Sequence, residues 1–257
     1  MTWIVGGVTP VGQAFIIGDT RVTFGDKREA DLVRKVHWVG RDMVAGFSGS
    51  VRIGFHLLTD LAMKLRSDNQ PEVIWKPEAV AKRWSRDAAQ IFSGFDERER
   101  AARCSILIAA VAPRNNGPFP FTTLIRMSSP TFKPRILPRF GSMQIGSGQQ
   151  HEIYRSWAEQ YFNTPNFIVN FSNWGGSIAS VLAQSLSDQV KENPVPGVSP
   201  FMHVVACGRG TRTEARVPAL TFEDDPSAVA FPEVAGGYAK FQVLAQDLGF
   251  EASAAQA

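Results

Sequence analysis

Cysteine is nearly missing from this chain: only Cys104 and Cys207 occur among 257 residues. Two cysteines cannot build a disulfide scaffold, and both sit in apolar runs, CSILIAAVA and FMHVVAC. They read as buried, reduced thiols of a cytoplasmic protein. No apolar stretch is long enough to span a bilayer, so no membrane helix is expected. No run of five or more Lys or Arg occurs and the formal net charge is only +3, so nothing points to nucleic acid. The arginines are scattered (Arg83, Arg86, Arg98, Arg100, Arg103) and fit a solvated face. No internal repeat is evident. The run WIVGGV…AFIIG has no basic residue before it, and Pro10 and Gly12 interrupt it. It reads as two strands around a Thr9–Gly12 turn rather than as a leader.

What is present is ordinary globular material, 44% hydrophobic and 20% charged. Residues 36–47 (VHWVGRDMVAGF) read as a hairpin turning at Gly40-Arg41-Asp42. Val51, Phe55, Leu58, Ala62 and Leu65 fall at helical spacing and predict a helix over 50–67. A second helix opens near Pro77, with Val80, Trp84, Ala88 and Ile91 on one face, and stops near Gly94. A charged connector, DERERAAR, follows it. Strands are expected at 104–112 and 121–127, no clear element over 128–141, then the short strand SMQIG. Helices at 149–162 and 171–191 and strands at 200–207 and 216–222 complete the body. The order is strands, two helices, strands, two helices, strands. It suggests an α+β fold of two sheets face to face with helix pairs outside, a four-layer αββα sandwich. The body is placed at 1–222. Residues 223–257 form an extension with one helix in YAKFQVLAQDLGF and a frayed SAAQA end.

Several short motifs could carry chemistry. Thr2 comes first. A threonine hydroxyl needs a base, and an N-terminal threonine carries its own, because an α-amine titrates near pH 7.7–8.0, roughly the working range. Asp19-Thr20-Arg21-Val22-Thr23 ends the second strand. Lys35 lies in LVRKVHWV, a segment that otherwise looks buried. A buried lysine is costly unless paired, and Asp19 is the obvious partner. A cation beside Thr2 would lower the pKa of its hydroxyl and amine. Ala45-Gly46-Phe47-Ser48-Gly49-Ser50 joins a strand to a helix. It is either a tight turn or a place where N–H groups meet an oxyanion. Gly146-Ser147-Gly148 is a second such turn, whose serine could simply cap a helix.

Taken in order, these motifs resemble the β-subunits of proteasomes and their bacterial relatives, including the HslV-type peptidase. The similarity is clearest in FIIGDTRVTFGD…RKVHWVGRDMVAGFSGS, over Thr2–Leu61, and again over Gln144–Trp157. The resemblance implies an N-terminal-nucleophile hydrolase. Thr2 falls on the nucleophile, Asp19 and Lys35 on the pair that tunes it, Gly49 on the oxyanion donor and Ser147 on a serine near the N-terminal amine. Thr23 falls on a strand that pairs with an extended substrate. Val22, Val33, His37, Phe47 and Val51, with Phe55 beside them, fall on the specificity pocket, which contains no acid or permanent cation. Cleavage after apolar residues is therefore expected. The resemblance also implies stacked heptameric or hexameric rings of this chain in the cytoplasm, with helix 50–67 at subunit contacts. Unfolded proteins or peptides would be the substrates, an ATP-dependent unfoldase a possible partner, and no metal or cofactor is involved.

Two departures bear on activity. The Thr2-to-Asp19 spacing is one residue longer than usual, which the Thr9–Gly12 turn can absorb. After its last core helix the family often carries an aspartate and a Ser-Gly-Gly turn, whereas this chain has KENPVPGVSP, with Glu192 as the nearest acid. A ring that binds peptides without cleaving them, and an amidase for small molecules, stay open beside the peptidase. In the peptidase, Met1 must be lost, because an acylated Thr2 nitrogen cannot act as a base.

Overall fold

The structure, a computed structural model, describes residues 2–9, 12–67, 76–112, 121–138, 141–163, 178–208, 211–218, 230–252 and 255–257. Its strands are β1 (Ile4–Val8), β2 (Ala14–Asp19), β3 (Arg21–Thr23), β4 (Glu29–Asp31), β5 (Val36–Gly40), β6 (Met43–Gly49), β7 (Cys104–Ala112), β8 (Phe121–Ser128), β9 (Arg135–Pro138), β10 (Gly141–Ile145), β11 (Met202–Gly208) and β12 (Thr211–Val217). Its helices are α1 (Val51–Ser67), α2 (Pro77–Ser93), α3 (Glu97–Ala101), α4 (Glu152–Asn163), α5 (Ile178–Glu192) and α6 (Tyr238–Asp247). The fold is mixed α and β. One five-stranded sheet runs β10-β1-β2-β11-β12, another β5-β6-β7-β8-β9, and β3 and β4 make a separate hairpin. All pairings within these sheets are antiparallel.

Period-two alternation explains how the sheets pack. In β2, Ala14 and Ile16 join one apolar core while Phe15 and Ile17 join another. In β7, Leu107, Ala109 and Val111 meet that same first core, while Ile106, Ile108 and Ala110 face a third. Both five-stranded sheets are therefore apolar on both faces, which is why these strands read as near-continuous hydrophobic runs. The shared core combines Ile4, Ile16, Val36, Val44, Leu107, Leu124, Ile145 and Val205 from the two sheets. The opposite face of the first sheet packs Trp3, Phe15 and Val204 against Tyr154 and Ala158 of α4 and Leu182 and Leu186 of α5. The opposite face of the second packs Phe47, Ile106 and Ile125 with Leu57 and Leu61 of α1, Trp84 and Ala88 of α2, and Phe241 of α6. Of the stripes read from spacing, Val51, Phe55, Leu58 and Leu65 of α1 and Trp84 and Ala88 of α2 are buried, while Ala62, Val80 and Ile91 are half-buried and Ala81 and Phe92 complete the buried face of α2; α2 carries Pro77 in its first turn and stops at Gly94.

Several boundaries differ from the sequence expectations. The connector after α2 holds a short helix, α3, capped by Asp96, whose carboxylate accepts the Glu99 N–H at 2.9 Å. Residues 128–141 contain β9, an edge strand next to β8, where proline is tolerated because no further strand needs its N–H. Among the described residues the last strand of the sheets is β12 at Thr211–Val217, earlier than the expected 216–222. Its residues are mostly exposed, so it carries no alternation to read. Residues 219–222 and 171–177 of the expected strand and helix lie outside the described residues. The end of the chain is a further correction. Rather than fraying, Ala255 and Ala257 are buried, and Gln256 forms bridges with Thr23 and Ser50. Among the described residues no helix is long and apolar enough to cross a membrane. The two cysteines are free and buried, and burial pushes the Cys207 thiol up to about 12.

Candidate active site

The register of β1 and β2 fixes the site. Ile4 pairs with Gly18, so the residues just beyond, Thr2 and Asp19, meet at one end of the strand pair. The Asp19 N–H donates to the Trp3 carbonyl at 3.2 Å, and the Trp3 N–H returns a bond to the Asp19 carboxylate at 2.9 Å. The Thr2 hydroxyl donates to the same carboxylate oxygen at 3.3 Å. Trp3 locks this end of β1. Its ring stacks on Tyr154 at 4.5 Å, and its indole N–H donates to Gln144 at 2.8 Å.

Lys35 enters from the start of β5 and is fully buried. An ammonium has three protons to place, and Lys35 places all three. They go to Asp19 at 2.9 Å, the Thr2 hydroxyl and the Arg21 carbonyl. Burial is the largest influence on Lys35 and lowers its pKa from the ordinary lysine value, while the Asp19 charge acts in the opposite direction. Arg21, adjacent in sequence to this motif, does not compete for Asp19. Its guanidinium forks onto Asp31 at 3.1 and 2.8 Å. The arrangement is a buried ion pair with a hydroxyl held at its centre. A pair of this kind adds little net stability, but losing one member is costly.

Two glycines of the short motifs have positive φ, and one of them lies against the threonine. Gly49 ends β6 with φ +102°, and a Cβ there would clash with the Arg103 carbonyl. Its N–H donates to the Ala257 carbonyl. Gly146 has φ +90°, and a Cβ there would press on the Thr2 carbonyl and methyl. Only glycine suits either place. Next to it, Ser147 accepts the Thr2 N–H at 3.0 Å, and the Gly148 N–H donates to the Thr2 carbonyl at 2.9 Å. Ser147 therefore contacts Thr2 as well as opening a 3₁₀ turn. Hydrogen bonds join Thr2, Asp19, Lys35 and Ser147, which come from the ends of β1 and β2, the start of β5 and the 3₁₀ turn, whereas Gly49, at the end of β6, bonds to Ala257.

The apolar residues expected to line a pocket belong to the core beneath the second sheet. Val22, Val33, Phe47 and Val51 are fully buried in one cluster with Ala255 and Ala257. The Phe47 ring lies 5.1 Å from Phe55, and the His37 ring meets Phe55 at 5.7 Å, edge-on. The His37 Nε2 contacts the Arg34 carbonyl at 2.7 Å. Thr23 contributes its backbone, exchanging two bonds of 2.9 Å with Gln256. The open cavity of about 260 Å³ near Arg126, Arg135, Gln149 and Arg155 does not include Thr2, Asp19 or Lys35.

Sequence reasoning missed Ser199. It is fully buried, its N–H donates to the second Asp19 oxygen at 3.3 Å, and its hydroxyl accepts from Thr20 at 3.4 Å. The only signal was the Pro-Gly-Val-Ser-Pro turn after α5. Glu192, the nearest acid in that stretch, is exposed and accepts a bond from Gln189 at 3.1 Å, so it takes no part in this network. Among the described residues no group of three or more His, Cys, Asp or Glu could hold a metal ion.

Two histidines, His203 buried and His37 half-buried, are expected to make the fold sensitive to acid. Burial, then the Arg34 charge, lowers His37 to about 4. Burial, with Arg34 and Arg216, lowers His203 to about 3. Neither nitrogen of His203 has a hydrogen-bond partner. Both folded values lie below the ordinary 6.5. The unfolded chain therefore binds more protons between pH 6.5 and 4, and stability is lost as pH falls through that window. Denaturant unfolding at pH 7 and pH 5 is expected to differ by about 3 kcal/mol. His203→Phe is expected to shrink that difference by about half.

No family model matches the chain, and no curated protein matches it.

Proposed function

We propose that this chain is the subunit of a self-compartmentalised threonine endopeptidase. Its two sheets and flanking helices would form the four-layer αββα sandwich of N-terminal-nucleophile hydrolases. The observation that carries this reading is the Thr2 hydroxyl held between Asp19 and the fully buried Lys35. Cutting the bond before Thr2 would turn its nitrogen from an amide into an amine. The amine, acting through a water, takes the hydroxyl proton while Lys35 favours the developing alkoxide. The oxygen attacks a peptide carbonyl whose oxyanion is held by the Gly49 N–H, and the leaving amine departs with a proton returned from the Thr2 nitrogen. Water then attacks the ester and frees Thr2.

A walled-off cytoplasmic enzyme would suit such a site, assembled as stacked rings of seven, or six, copies. Met63 on α1 and Ile153 and Trp157 on α4 are exposed apolar residues that could serve subunit contacts. Unfolded chains would be the substrates, fed with or without an ATP-dependent unfoldase. Phe47 and Phe55, whose rings lie 5.1 Å apart, would floor such a pocket, so small apolar residues should be preferred before the cleaved bond. A fluorogenic peptide panel on the particle sized by native mass spectrometry tests both points. Cleavage after Ala or Val is expected at least about tenfold faster than after Lys, Arg, Asp or Glu, since an unpaired charge costs several kcal/mol to bury. Monomers or dimers at micromolar protein, or preferred cleavage after a charged residue, would contradict it. A second reading, a ring that binds peptides without cleaving, is favoured by KENPVPGVSP, which brings a Ser199 N–H rather than a carboxylate to Asp19.

A further inference from the structure

The residues that meet the Gly49 N–H belong to this chain itself. Gln256 and Thr23 exchange both backbone bonds at 2.9 Å, the Ala257 N–H donates to the Gly49 carbonyl at 2.6 Å, and the Val51 N–H donates to the Ala255 carbonyl at 3.3 Å. Together with Gly49 N–H to the Ala257 carbonyl, these bonds satisfy Ala255, Gln256 and Ala257 as a short strand between β3 and the β6–α1 junction. Ala255 and Ala257 turn inward to the cluster of Val22, Val33, Phe47 and Val51. Period-two alternation sends Gln256 outward, and it is exposed.

The path to this groove is anchored at three points. Ala235 bridges Val33, its N–H donating to Leu32 at 2.7 Å and its carbonyl accepting from Arg34 at 3.0 Å. Phe241 of α6 is fully buried in the core shared with α1. Phe250 stacks on Phe24 at 4.0 Å, under the Arg28 guanidinium at 4.4 Å. A segment tethered this close acts at a local concentration of roughly 1 mM.

We propose that residues 255–257 are a built-in occupant of the peptide groove, bound as the acyl half of a substrate with Ala257 in the specificity pocket and its carbonyl in the oxyanion position. The occupancy rests on the hydrolase reading only for the name of that position; the backbone pairing stands by itself. Regulation follows directly. A peptide substrate must displace the segment, so the resting enzyme is self-occluded, and the preferred ligand is an extended peptide with alanine or a similarly small residue at its end.

The test uses three forms of the full assembly: the whole chain, a form ending at Phe250, and full-length Ala257→Asp, which puts a charge into the apolar pocket. Binding of a fluorescein-labelled EASAAQA peptide is followed by anisotropy, and hydrolysis of an alanine-ending fluorogenic peptide is followed alongside. Both altered forms are expected to bind the peptide at least about tenfold more tightly than the whole chain and to show a KM lowered by a similar factor. Equal binding by all three forms, or binding by none, overturns the proposal. Tighter binding without any turnover upholds the occupancy and rejects the hydrolase. Turnover that is the same in all three forms upholds the hydrolase and rejects the occupancy. Should the shortened form not fold by circular dichroism, Ala257→Asp decides the matter.

Discussion

Thr2→Ala is expected to abolish peptide hydrolysis, by at least about 10³-fold in kcat, because it removes the only atom proposed to attack the substrate. The fold should survive. The hydroxyl makes bonds to Lys35 and Asp19, and their loss leaves Lys35 one acceptor short at a cost of about 1–2 kcal/mol. Thr2→Ser separates the hydroxyl from the methyl. It keeps oxygen and amine but loses the methyl that lies against Gly146. That methyl helps confine the χ1 rotation of Thr2, as branching at Cβ generally does. An intermediate rate, about tenfold down, is expected for Thr2→Ser in the same fluorogenic assay. Full activity in Thr2→Ala would place the nucleophile elsewhere.

Lys35→Met should fail in two ways at once. It keeps the length of the side chain but strips the cation from Asp19, whose carboxylate is fully buried. Asp19 retains backbone N–H donors from Trp3, Arg21 and Ser199, which soften the loss. A destabilisation of about 3 kcal/mol is expected in urea unfolding, together with a fall in kcat of at least about 10²-fold. Pairing it with Asp19→Asn removes the stranded charge. The double variant should regain most of the stability and none of the turnover. Recovery of both would mean that Lys35 is only a structural partner.

Much of the site was legible because it depends on side chains at fixed strand positions. Asp19, Lys35 and Gly49 lie at the ends of strands whose apolar character was plain, and α1 and α2 declared themselves by their stripes. What escaped has physical reasons. The β3–β4 hairpin is three residues a side, and only Val22 among its strand residues is buried, too little for any period to register. Ser199 reaches Asp19 with its backbone N–H, a contact that side-chain identity does not encode. Ala255 and Ala257 carry no signal of their own. Their burial comes from a groove built by residues more than 200 positions earlier, and an alanine-rich ending otherwise looks like a terminus free in water. The exposed β12 lacks the alternation that placed its neighbours, since an edge strand facing solvent has no core to match.

The central claim, that Thr2 reacts through its own hydroxyl and amine, is tested most directly by mass spectrometry after treatment with a peptide epoxyketone. That warhead closes a ring only when hydroxyl and free amine belong to the same residue. The proposed mechanism predicts a chain that begins at Thr2 and carries one adduct on that residue, with hydrolysis lost in step with labelling. Hydrolysis by a chain whose Thr2 nitrogen is still acylated, or an adduct on any other residue, would contradict it.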